Sequence, residues 1–268
     1  MNHVLQFLLI LLLFFYSLEI TGAKEKRIIC LSPGITEIVS ALGKVNDIVG
    51  RTRYCNFPET VLKAEVVGGL HVSIEKILVL DPDVIFTQKG FHQKEIPQLL
   101  RLNLQVMEVR LNTIADLFQA FQIIGKELAV TEKARLLSKK IKRSLWRIKK
   151  KHAGKKNSPS VFLQINKKPL MGAGRNTFMH DLLTICGAKN IFARKSGYFP
   201  VNKESLLLLD PDVIFITYPT RPFESSSIIK VLKKKMVFNL EPDISTRPGP
   251  RILKAARAIC LKLYPDEN

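Results

Sequence analysis

The segment Glu75-Lys-Ile-Leu-Val-Leu-Asp-Pro-Asp-Val-Ile-Phe86 returns in register as Glu204-Ser-Leu-Leu-Leu-Leu-Asp-Pro-Asp-Val-Ile-Phe215. The copies start at residues 75 and 204, an offset of 129. That exceeds the roughly 20–50 residues of a solenoid repeat, so the unit duplicated is domain-sized. Each copy reads as a short helix opened by an acidic residue, which suits the positive end of the helix dipole. Asp-Pro then stops the helix, because Pro lacks an amide proton and drives its predecessor out of the α region. The apolar runs opening at Val84 and Val213 are the mark of strands buried on both faces of a parallel sheet. Two such units predict two similar α/β lobes, and a cleft between lobes is a usual place for a ligand.

The 268 residues suffice for two modest domains. Val4 to Tyr16 is an almost unbroken apolar run, and Thr21-Gly22-Ala23 offers small residues for cleavage ahead of a charged stretch. The run is shorter than the ~20 residues of a spanning helix, so residues 1–23 read as the signal peptide of an exported protein. A retained anchor is the alternative, since only the α-amino group and His3 precede the run as positive charges. No Cys follows the run at a lipobox-like position.

The formal net charge is +19, and setting aside residues 1–23 removes one acid, Glu19, to give +20. A basic balance admits nucleic acid, anionic membrane surfaces and anionic small ligands as partners. Much of the charge lies between Lys139 and Lys156 and reads as a solvated helix face running into a basic linker. No zinc-finger spacing or RRM-type aromatic motif accompanies it, so nucleic acid is not expected as a partner. An exported basic adhesin or nucleic-acid-binding protein is the reading from a different class. Four cysteines, Cys30, Cys55, Cys186 and Cys260, permit two disulfides in an exported chain, and spacing leaves three pairings open.

Taken in order, Arg27 to Leu31 is a short strand, Ser32-Pro33-Gly34 a break, and Thr36 the cap of a helix that stops at Gly43. Asp47 to Gly50 is a second strand, followed by the irregular segment Arg51 to Pro58, where α/β folds place ligand contacts. A helix near Gln93 to Leu102 and a strand from Leu104 to Val109 complete the first lobe. From Ile114 to His152 the pattern is helical, with Thr131 as a cap and Ala134, Leu137, Ile141, Leu145 and Ile148 spaced by three and four. Such a run of 22 residues is ~33 Å long, a single stiff connection between lobes. The second lobe restarts with the strand Ser160 to Gln164, the loop Met171 to Gly174 with Arg175, and a helix from Thr177 stopped by Gly187. A strand from Met236, a Pro-rich loop over 241–250 and an amphipathic helix from Arg251 close the chain. The expected division is a leader over 1–23, an N-terminal α/β lobe over 24–112, a helical connection over 113–153 and a C-terminal lobe over 154–268.

An enzyme reading needs a site, and the candidates are weak. Asp81, Asp83, Asp210 and Asp212 sit between a helix end and a strand start, whereas catalytic groups of open parallel sheets gather at the carboxyl ends of strands. His71, His92 and His180 are isolated, and neither a G-x-S-x-G elbow nor H-E-x-x-H occurs. No cofactor motif such as G-x-G-x-x-G or a P-loop is present. The chain reads as a binding protein and not an enzyme.

The colinear motifs carry a resemblance. Arg27-Ile-Ile-Cys-Leu-Ser-Pro with Thr36-Glu37, Tyr54 before Phe57-Pro58, both repeats, Val161-Phe-Leu-Gln164, Cys186-Gly-Ala-Lys-Asn-Ile-Phe192 and Arg247-Pro-Gly-Pro-Arg-Ile252 resemble the periplasmic substrate-binding proteins of ABC importers for cobalamin, haem and ferric siderophores. The likeness is greatest to the cobalamin-binding members and spans almost the whole chain after residue 23. It implies two Rossmann-like lobes joined by a single long helix, the helical-backbone metal-receptor type. It implies cobalamin or a related corrinoid as transported ligand, with haem or a ferric siderophore as the alternative, and delivery by a periplasmic monomer to a permease dimer. Glu75 and Glu204 match the acids that dock onto the permease. Tyr54, Phe199, Asp243 and Arg247 match ligand contacts, and Cys186 and Cys260 the family's disulfide, which leaves Cys30 and Cys55 as a second pair or as thiols.

One position departs. The Trp that packs on the corrin would fall near Leu70 or His71, while the only Trp is Trp146 on the linking helix. Tyr54 or His71 is then a candidate axial ligand if the cargo is haem, and Arg51, Arg53, Arg175 and Arg247 suit anionic groups of such a ligand. No other direct metal ligation is expected.

Overall fold

The computed structural model describes residues 25–155, 157–218 and 236–265; the leader expected over 1–23 lies outside them. The first sheet holds β1 (Ile28–Cys30), β2 (Ile48–Thr52), β3 (Glu65–Gly68), β4 (Val84–Gln88) and β5 (Val106–Val109). All pairs are parallel, in the order β3-β2-β1-β4-β5. The second holds β6 (Ser160–Asn166), β7 (Met171–Ala173), β8 (Lys189–Asn190), β9 (Tyr198–Pro200), β10 (Val213–Ile216) and β11 (Met236–Asn239). Its order is β11-β10-β6-β7-β9, with β8 also on β6 and with β7 antiparallel to both its neighbours. The segment Met171 to Gly174, expected as a loop, is therefore largely strand. Its three-residue length and central Gly172, wedged between Phe162 and Val201, hide the strand signal.

Helices, numbered in chain order, are α1 (Pro33–Ala41), α2 (Ile74–Val79), α3 (Ile96–Arg101), α4 (Ile114–Glu127), α5 (Thr131–His152), α6 (Phe178–Ile185), α7 (Lys203–Leu209), α8 (Pro242–Ser245) and α9 (Ile252–Leu263). The break expected at Ser32-Pro33-Gly34 is in fact the start of α1. Pro33 occupies the first turn, where its missing amide proton costs nothing. Thr36 is not the cap but a buried residue whose Oγ1 donates to the Ser32 carbonyl at 2.9 Å. The Pro-rich loop likewise contains the short helix α8.

The duplicated segment builds the same device in each lobe. Ser73 caps α2 by accepting from the Lys76 amide, and Asn202 caps α7 by accepting from the Ser205 amide. Past each helix the first Asp turns left-handed, Asp81 at φ 42° and Asp210 at φ 38°, a conformation that short polar side chains tolerate. The second Asp then accepts the amide that enters the lobe's central strand. Arg27 N donates to Asp83 Oδ2, and Ser160 N to Asp212 Oδ2, each at 2.7 Å.

Helix α4 opens with a capping box between Thr113 and Asp116, and α5 follows after three residues. Ala134, Ser138, Ile141, Leu145 and His152 form the buried stripe of α5. The apolar cluster it joins holds Phe86 and Phe121 from the first lobe's side together with Phe178, Phe215 and Ile259 from the second. One continuous core thus crosses the lobe boundary, and close packing of this kind resists large hinge motion. A disulfide between Cys186 and Cys260 ties the end of α6 to α9.

Candidate functional site

In an open parallel sheet the binding crevice lies outside the carboxyl ends of the strands, where the chain reverses its order of addition. Here that point is between β1 and β4. The chain leaving them, Leu31 to Gly34 at the entry to α1 and Gln88, Phe91 and His92 at and past the end of β4, lines a cavity of about 350 Å³. Ser32 Oγ donates to Gln88 Oε1 at 3.2 Å and ties the cap of α1 to the end of β4. Tyr54 and Leu70 add to the first lobe's wall, while Asp243, Arg247 and Pro248 close the cavity from the second lobe.

A polar network locks the two walls. Arg247 donates to Asp243 Oδ1 and to Asn56 Oδ1, each at 2.6 Å, and Asn56 Nδ2 donates to Asp243 Oδ2 at 3.2 Å. Deeper, Arg251 grips Glu37 through two bonds of 2.6 and 2.9 Å and donates to the Asp243 carbonyl at 2.9 Å. Its guanidinium also lies 4.1 Å from the Phe57 ring centroid. Burial raises the Glu37 carboxyl above its ordinary range, against the pull of Arg251's hydrogen bond and charge. Beside this pair a Cβ on Gly34 would come 2.4 Å from the Pro248 carbonyl oxygen, so only Gly lets the second lobe's loop approach α1 so closely.

Two histidines behave differently. His92 is buried, with Nδ1 at 3.1 Å from Thr87 Oγ1 and Nε2 at 3.2 Å from the Gly69 carbonyl, so both nitrogens are occupied by the fold. His71 projects outward, its side chain 77% exposed, with Nδ1 at 2.9 Å from the buried Glu95 Oε1. Burial pushes Glu95 up, but its bonds to His71 and to a backbone amide outweigh that and leave it below its ordinary value. The carboxylate therefore steers the ring through Nδ1, and His71 is next in sequence to the cavity residue Leu70.

Of the expected ligand contacts, Tyr54, Asp243 and Arg247 line the cavity together. Arg53 lies over Gly69, whose added Cβ would meet its Nε at 2.8 Å, and so flanks the cavity. His71 stands outside the lining. Arg175 is an exposed residue bridged to Ser196. Phe199, on β9, packs edge-on against Phe192 at 5.2 Å; neither belongs to the cavity wall. Arg51 is corrected outright. It lies in β2 and not a loop, is buried, and donates to the Cys55 carbonyl at 3.2 Å, so it holds the segment that carries Tyr54. Cys30 and Cys55 stand as buried thiols, Cys55 Sγ donating to the Cys30 carbonyl at 3.6 Å. Glu75 and Glu204 are exposed in the first turns of α2 and α7. Asn56, Phe91 and the contact between Glu37 and Arg251 went unread as site features. None has a local signal, because their partners lie on other loops or in the other lobe.

Two α/β lobes on one shared core enclose a cleft at the switch point, the place where such folds hold ligands. The chain belongs to the periplasmic binding protein family, whose profile matches residues 28–240. It is 30% identical over 261 residues to the ABC transporter substrate-binding lipoprotein YvrC of Bacillus subtilis, covering 92% of this chain and 83% of that one. It is 30% identical over 243 residues to the vitamin B12-binding protein of Salmonella paratyphi A, covering 87% and 88%. Its fold superposes on the periplasmic vitamin B12 binding protein of Vibrio cholerae with a TM-score of 0.77 at 25% identity, over 90% of this chain and 97% of that one. Family members bind substrates for transport, and this chain is a binding protein and not an enzyme.

Proposed function

We propose that the chain is the solute-binding component of an ABC importer, acting as a periplasmic monomer that captures cobalamin or a related corrinoid in the inter-lobe cleft. The observation that carries this reading is the joint presence of Tyr54, Asp243 and Arg247 in one cavity at the switch point, with vitamin B12-binding relatives similar along most of the chain. A cavity of about 350 Å³ is at the low end of the ~300–1,000 Å³ of small-molecule sites, so a macrocycle is gripped by part of its surface, and the rest projects from the mouth. Titration calorimetry with cobalamin and cobinamide should give saturable binding that weakens at least tenfold in Arg247→Ala. No heat with either corrinoid, alongside saturation with hemin, would transfer the assignment to haem.

The haem reading has its own observation. A metal-bound His is held on its other nitrogen by a carboxylate, a backbone carbonyl or water, and His71 with Glu95 has the carboxylate form. Hemin titration followed by absorbance should then show a shifted Soret band that His71→Ala abolishes. Among the described residues no group of three metal-ligating side chains occurs, so the iron or cobalt would arrive inside its macrocycle.

Delivery rests on Glu75 and Glu204. The duplication puts one on each lobe at the same helical position, and Glu75 is held charged below its ordinary range by a backbone amide and Ser73. Such carboxylates suit arginines on a two-subunit permease. The double variant Glu75→Arg, Glu204→Arg should bind ligand normally and fail to transport it; wild-type uptake would remove the docking role.

A further inference from the structure

We propose that the outer face of α5 is a docking surface for anionic phospholipid bilayers. The helix carries ten exposed Lys and Arg residues and a single acid, Glu132, which Arg135 already clamps through two bonds of 2.6 and 2.8 Å. Four of these cations line up with the indole. Lys139, Lys142, Arg143, Trp146 and Lys150 fall at spacings of three and four, which places them on one strip. The buried stripe from Ala134 to His152 faces the core, and its Ser138 adjoins the strip. In the middle of that strip stands Trp146, 60% exposed, with Leu136, 52% exposed, further towards the helix start. Lys150 Nζ lies 5.3 Å from the Trp146 ring centroid.

This combination fits a headgroup layer better than plain solvation. A solvated face has no use for an exposed indole, whereas the amphipathic Trp ring prefers the membrane interface. Lys and Arg stems cover apolar surface while their charges reach outward to phosphates. Lys139, Lys142, Arg143 and Trp146, with Gln122, Arg135 and Ser138, border a groove of about 670 Å³, and α5 is ~33 Å long, long enough for the strip to lie along one flat surface. Each basic residue near an anionic bilayer contributes a factor of roughly five in binding. Among the described residues no helix is long and apolar enough to cross a bilayer, so α5 would lie on the surface. None of the residues lining the cleft belongs to α5, and docking is independent of the ligand assignment.

Trp146 is the only Trp in the chain and reports on its own surroundings. The full chain is mixed with phosphatidylcholine vesicles with and without phosphatidylglycerol, and with vesicles whose acyl chains are brominated. Phosphatidylglycerol should shift Trp146 emission to the blue, bromine should quench it, and about 0.5 M salt, where screening is nearly complete, should reverse both. Lys139→Glu, Lys142→Glu, Arg143→Glu together should lower vesicle affinity at least ~100-fold, with unchanged circular dichroism and ligand binding; the Gln triple variant should lie in between. An anchor at residues 4–16 would hold the chain on both vesicle types and leave the emission unmoved. Equal emission with both lipids, an unaffected triple variant, or tighter binding to a DNA duplex without bromine quenching overturns the proposal.

Discussion

Glu37 is an acid buried at the lobe boundary, and its single strong partner, Arg251, comes from the far end of the chain. Because burial raises its carboxyl above the unfolded value, the folded state holds that proton more tightly than the unfolded chain does. The contribution of this group to stability is therefore fully present at low pH and is lost as pH rises from the ordinary carboxylate value through the raised one. Glu37→Gln has no such titration. The stability of wild type minus that of Glu37→Gln, from denaturant unfolding between about pH 4 and 7, should fall with rising pH. A flat difference would mean that Arg251 offsets the desolvation completely. Nothing in the local sequence around Glu37 marks it as buried, since it follows a helix start and precedes apolar residues as many exposed acids do.

At the scale of elements, the repeat shows why the same six residues recur in both lobes. Asp-Pro-Asp ends one helix, turns the chain left-handed and fastens the entrance of the neighbouring central strand. Asp83→Ala and Asp212→Ala should each cost about 1 kcal/mol, read as a lowered denaturant midpoint, with ligand affinity unaltered. A fall in affinity at constant stability would instead give these acids a role at the cleft. The helices and most strands were legible from periodicity and stop signals because those are local properties of the chain. The start of α1 was missed because Ser32-Pro33-Gly34 reads as a turn in isolation. Likewise β7 was missed, since three residues containing Gly172 become a strand only when β6 and β9 flank them.

At the scale of the whole molecule, the lobes meet through a shared apolar core, the Asn56, Asp243 and Arg247 network, and the contact of Gly34 with Pro248. Gly34→Ala places a methyl where the Pro248 carbonyl stands, and backbone on both sides leaves no flexible end to yield. The walls must part, so the variant should lose about 1–3 kcal/mol of stability and bind ligand at least tenfold more weakly, measured by denaturation and calorimetry. Stability lost with affinity intact would show that the cleft tolerates the wider setting. The duplicated segment, the 22-residue helical run and the Gly and Pro stops determined by themselves that there are two α/β lobes and one long helix, because periodicity and backbone restriction act between near neighbours. Only the tertiary structure decided that Tyr54 shares a cavity wall with Asp243 and Arg247, that Arg51 turns inward, that Arg175 and Phe199 stay off that wall, and that Glu37 finds Arg251. The pairings across the cleft depend on which segments the strand order brings together from opposite ends of the chain, a distance over which composition and spacing carry no geometric information.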